Sequence, residues 1–107
     1  MSVALLITKA GQEDEYQPVA TEGTFLRYWL PVIETLQLEW LPLFQGGAPL
    51  AREDLAPVLA ELGRFTSHVR ELAARDTQYG AVHQRAVALS QRLESLVGEE
   101  FDDVFVG

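Results

Sequence analysis

His68, His83, four serines and two dense acidic runs are the residues of this chain whose types could do chemistry. The histidines are fifteen positions apart, so no His-x-x-x-His pair puts two metal ligands on one helical face. His68 and Glu71 share a face, but in the order His-x-x-Glu, the reverse of the Glu-x-x-His element of di-iron bundles. A solvated i,i+3 contact accounts for them. The runs Glu13-Asp14-Glu15 and Glu99-Glu100-Phe101-Asp102-Asp103 could attract a cation or a basic partner. Neither has the alternating ligands and fixed glycine of a calcium loop. Ser2, Ser67, Ser90 and Ser95 lack the strand-turn-helix setting of an activated nucleophile, and no Gly-x-Ser-x-Gly occurs. Gln45-Gly46-Gly47 is a turn rather than a phosphate loop. The absence of cysteine excludes disulfides, thiolate zinc sites and a thiol nucleophile. The expectation is a non-enzymatic chain with no cofactor and no bound metal.

What remains is charge. The net charge is −8 at pH 7 over 107 residues, and lysine occurs once, as Lys9. Residues 1–50 set Lys9 and Arg27 against six acids, and residues 51–107 set six arginines against ten, so no basic lobe hides behind the average. This balance argues against nucleic acid and anionic membranes as partners and for a basic protein. The C-terminal run is the more suggestive because Phe101, Val104 and Phe105 interleave its acids, as in a polar rim around apolar anchors. Glu99, Glu100, Asp102 and Asp103 are the expected contacts, and neutralising all four is expected to leave the fold intact. Helical spacing assigns Phe25 and Trp29 to the core. Tyr28, off that stripe, and Trp40, beside Pro42, are the expected exposed aromatics, with Arg27 completing an interface anchor.

The elements that must position these residues fit one domain over 1–107, long enough to bury a core without staples. The expected class is α+β, mostly helical: an antiparallel helix pair, a kinked first helix and a short strand at each chain end. Val3–Ile7 is an apolar run of strand length, and residues 9–21 read as a mobile loop. From a cap at Thr24, Phe25, Trp29, Ile33 and Leu36 form a helical stripe that Leu26 and Leu30 widen. Pro31 leaves two options, a kinked helix or a strand over Phe25–Trp29 followed by a shorter helix. The kinked helix is preferred because the stripe crosses the proline in phase. Gln45–Pro49 breaks the chain. A second helix starting near Asp54 carries Leu55, Val58, Leu59, Leu62, Phe65, Val69 and Leu72, with Gly63 as the mark of a close crossing. After a short connector, a third helix carries Val82, Ala86, Leu89, Leu93, Leu96 and Val97 and stops at Gly98. Leu62 and Leu93 are expected to be buried across the pair. Val104–Val106 is expected to pair with Val3–Ile7. No stretch approaches the ~20 apolar residues of a membrane span, and the N-terminus lacks the charged start of a signal peptide. The expectation is a soluble, unprocessed cytoplasmic protein.

Thr24–Pro31, Leu43–Gly47, Glu53–Leu62 and the ending Asp103–Gly107 together resemble small acidic bacterial proteins regarded as candidate immunity proteins of toxin systems. The resemblance carries no motif and transfers no residue role. It implies a stoichiometric binder that masks a basic toxin. The alternatives are a self-associating structural or adaptor domain, with homo-oligomers, and an enzyme or metal-binding helical protein whose site leaves no local motif.

Overall fold

The computed structural model describes residues 2–107. It is α+β, with helices packed on one face of a four-stranded antiparallel sheet. Strand β1 (Ser2–Thr8) pairs with β2 (Glu15–Thr21) on one side and with β4 (Asp103–Val106) on the other. The two-residue β3 (Ala48–Pro49) closes the order β2-β1-β4-β3. The chain ends therefore pair as expected, Leu5 opposite Val106 and Ile7 opposite Val104.

The expected mobile loop over 9–21 is corrected: residues 15–21 are β2. The turn before it is closed by the Gln12 N–H on the Lys9 carbonyl at 3.2 Å, with Gly11 at φ +73°, where a β-carbon is disfavoured. As an edge strand, β2 buries only Val19, so the sequence has no alternating pattern to betray it. Pro18 is tolerated because an edge strand has one side without ladder bonds.

The first helix is continuous over 22–36 in three parts: α1 (Glu22–Thr24), a π-helical turn (Phe25–Trp29) and α2 (Leu30–Leu36). Phe25–Trp29 is thus helical, not a strand. In the widened turn the Leu30 N–H bonds to the Phe25 carbonyl, five residues back, immediately ahead of Pro31. A proline crowds the carbonyl four residues before it, and a π-turn there relieves that conflict. Thr21, not Thr24, caps this helix, since Thr21 is extended and its Oγ1 accepts the Thr24 N–H at 3.1 Å. Leu26 is 42 % exposed and adds nothing to the core.

α3 (Leu55–Ala73) and α4 (Gln78–Leu96) pack together as the predicted antiparallel pair. Leu62 and Leu93 are both fully buried. Gly63 is exposed and a β-carbon there would touch nothing within 4 Å, so no close crossing requires it. Val97 lies past the end of α4 and is exposed. Gly98 does not adopt the left-handed conformation of a helix stop. Arg52 does that work instead, donating to the carbonyls of Leu96, Val97 and Glu99.

Glu61, on α3, performs the mirror task. Its carboxylate accepts the backbone N–H groups of Glu39, Trp40 and Leu41 at 3.0, 2.8 and 3.1 Å, at the start of a 3₁₀ helix over Leu41–Gln45. Charged acceptors at such donors give strong hydrogen bonds. Glu61→Ala is expected to cost ~1–3 kcal/mol in urea unfolding, because three donors lose their acceptor together. A loss below ~0.5 kcal/mol, the range of ordinary surface substitutions, would show that water replaces the carboxylate without penalty.

Candidate functional site

The two acidic runs, far apart in sequence, meet at one end of the molecule. Antiparallel pairing places Thr8 opposite Asp103, and the Asp102 N–H donates to the Thr8 carbonyl at 2.8 Å. Arg92, near the C-terminal end of α4, ties the runs together. It grips Glu15 with two donors at 2.6 and 3.0 Å and reaches Glu99 at 2.8 Å. Lys9 donates to the other side of Glu99. The result is an acidic pole in which Arg92 and Lys9 join Glu15, at the end of the first run, to Glu99, at the start of the second, with Arg52 bonded to the Glu99 carbonyl beside them.

The structure divides the four predicted tail acids. Glu100, Asp102 and Asp103 are exposed. Glu99 is partly covered, and its hydrogen bonds to Arg92 and then Lys9 pull its carboxyl down to about 2. The same guanidinium lowers Glu15 and is itself held above its usual range by both carboxylates. Glu99 therefore links Lys9, after β1, to Arg92 on α4 at this end. Of the four acids whose neutralisation is expected to leave the fold intact, Glu99 is tied to Lys9 and Arg92 by ion pairs.

A pH consequence follows. Glu99 ionises more readily folded than unfolded, so its contribution is complete above the unfolded value near 4.5 and is lost as pH falls toward 2. In urea titrations between pH 7 and 2, wild type should lose more stability across that window than Glu99→Gln. Parallel curves for the two proteins would show that the pairing is not linked to folding.

Beside the acidic pole lies the sheet face that the helices leave uncovered. Leu5, Ile7, Val104 and Val106 point into the core. Their neighbours Leu6 and Phe105 point outward and lie opposite one another, and Tyr16 on β2 lies opposite Leu6. These three form an in-register apolar row, 59 % exposed at Tyr16, 37 % at Leu6 and 36 % at Phe105. Asp103 stands two residues before Phe105 on the same strand and so on the same face. The Phe105 ring rests over Gly47, where φ is +98° and a β-carbon would come within 2.6 Å of the ring. Glycine at 47 is what lets the ring lie down on the sheet.

The predicted aromatic anchors are placed differently from expectation. Tyr28 is half-buried: its hydroxyl donates to Gln78 and its ring meets Tyr79 edge-on at 5.3 Å, both at the start of α4. Trp40 is half-buried against the core, with its backbone held by Glu61. Neither stands free: Tyr28 bridges the first helix to the start of α4, and Trp40 packs against the core. Of the three residues of the apolar row, Phe105 is already read as an apolar anchor among the tail acids, whereas Leu6 and Tyr16 were missed as site residues, and Val104, read with Phe105, is buried in the core. The only sequence signal of Leu6 and Tyr16 was the outward parity of strand positions, which for Tyr16 required knowing that β2 exists.

His68 lies on α3 and His83 on α4. Among the described residues no group of three or more His, Cys, Asp or Glu could hold a metal ion. No described helix is long and apolar enough to cross a membrane. No protein-family model, curated protein or solved structure matches this chain.

Proposed function

We propose that this chain is a non-enzymatic interaction domain that docks a basic protein through its acidic pole and the adjoining open sheet face. The observation that carries this reading is the convergence of both acidic runs beside an exposed, in-register apolar row. Acids surrounding aromatic and aliphatic anchors are a workable rim and centre for an interface. The negative pole steers the encounter, and Leu6, Tyr16 and Phe105 supply the desolvated contact. In its sharpest form the domain is an immunity-type protein of the bacterial cytoplasm that blocks a basic toxin by covering it.

A second reading, self-association through the same apolar row, rests on that row being uncovered. It is the weaker one, because two copies meeting there would bring like-charged poles together.

The test is a titration with the protein encoded next to this one, followed by backbone amide shifts at low and high salt. The proposed function requires a stoichiometric complex that weakens with salt and perturbs Leu6, Tyr16, Asp102, Asp103 and Phe105. Absence of binding by that neighbour, or a complex on another face with no salt dependence, overturns it. Elution of the free protein as a dimer whose interface is the apolar row would favour self-association.

A further inference from the structure

The cleft at the other end of the molecule has the opposite character. It lies between β2, the first helix and the start of α4, and has a volume of about 480 Å³. That falls within the range of small-ligand sites. Its walls are mainly apolar, with Val19, Trp29 and Val82 among them. In a chain with sixteen carboxylates, none lines this cleft among the described residues, and one guanidinium, Arg85, does. Arg85 is held there by one bond, from Nη1 to the Pro18 carbonyl at 3.0 Å. Trp29 is fully buried, and its indole Nε1–H is one of two buried side-chain polar atoms among the described residues that find no hydrogen bond. The Tyr28 hydroxyl, also in the wall, is already committed to Gln78.

The register separates this cleft from the acidic pole. Ser2 pairs with Thr21 at the cleft end of the β1–β2 ladder, and Ile7 pairs with Glu15 at the acidic end. Five residues of extended chain put roughly 17 Å between them. Arg85 bonds to Pro18, three residues along β2 from Glu15, so an anion there stands roughly 10 Å from the nearest acid of the pole, about one screening length in physiological salt.

From this geometry we infer that the cleft binds a small apolar carboxylate, its chain against Val19 and Val82 and its carboxylate toward Arg85. The site is independent of the proposed protein interface, and its failure would leave that reading untouched.

Octanoate below its micellar concentration is the probe, titrated into the full chain carrying Trp40→Phe so that emission reports Trp29 alone. The expected result is a saturable change in Trp29 emission with a dissociation constant of ~1 mM or tighter. Arg85→Gln should weaken it about tenfold, the loss of one charge-assisted contact. Octanol, which has the chain without the charge, should bind at least about tenfold more weakly for the same reason. Ala81→Phe places a ring in the cleft and should abolish the change while circular dichroism stays native. Should that variant fail to fold, the Arg85 variant and the octanol comparison decide the matter. No saturable change up to ~5 mM octanoate, equal binding of octanol, or unaltered binding by Arg85→Gln each overturns the proposal.

Discussion

Phe65→Ala is expected to remove about 3–5 kcal/mol of stability, a large fraction of the ~5–15 kcal/mol available to a domain of this size. Phe65 is fully buried on α3 and its ring stacks on Trp29 at 4.5 Å. Trp29 in turn stacks on Phe25 at 5.7 Å. This column of three rings joins the π-turn of the first helix to α3. Deleting its end therefore leaves a cavity between two elements rather than within one, and the lost ring contacts add to the lost transfer energy. Phe65→Leu keeps most of the volume and should cost distinctly less than the alanine change. Urea unfolding with a shared m-value is the measurement. A loss below ~1 kcal/mol for the alanine variant would mean that the column collapses to fill the space, and that the first helix is not fixed by it.

The second large effect is kinetic. Neutralising Glu13, Asp14, Glu100, Asp102 and Asp103 together, as the corresponding amides, should slow association with the basic partner by about 10- to 1000-fold at low salt. All five are exposed, so the fold should survive. Glu15 and Glu99 are left in place because they hold Arg92. The dependence of the rate on ionic strength should flatten, because steering acts over a Debye length that salt shortens. Dissociation should change less, since the apolar row that holds the complex is untouched. Equal rates for wild type and variant at both salt concentrations would remove the acidic pole from the interface.

The long helices were legible in the sequence because their information is local. Leu55, Val58, Leu62, Phe65 and Val69 repeat at helical spacing on α3, as do Val82, Ala86, Leu89, Leu93 and Leu96 on α4, and all ten are buried. The terminal strands were legible for a related reason: two apolar runs too short for helices needed a common place to bury, and they pair. The net charge and the absence of cysteine were equally plain. Tertiary structure alone decided the rest. β2 hides in an acidic stretch because an edge strand that buries one residue needs no apolar alternation, only a partner with free backbone groups. The π-turn answers a steric conflict at Pro31 that two backbone conformations could have resolved. Glu61, Arg52 and Arg92 look in the sequence like ordinary surface charges, and their roles depend on carbonyls, amides and carboxylates that folding brings from 7 to 77 residues away. The same holds for the acidic pole and the cleft. A local pattern sets which face of a helix is apolar, but which charges become neighbours depends on long-range strand register and helix packing, and those are fixed only when the core closes.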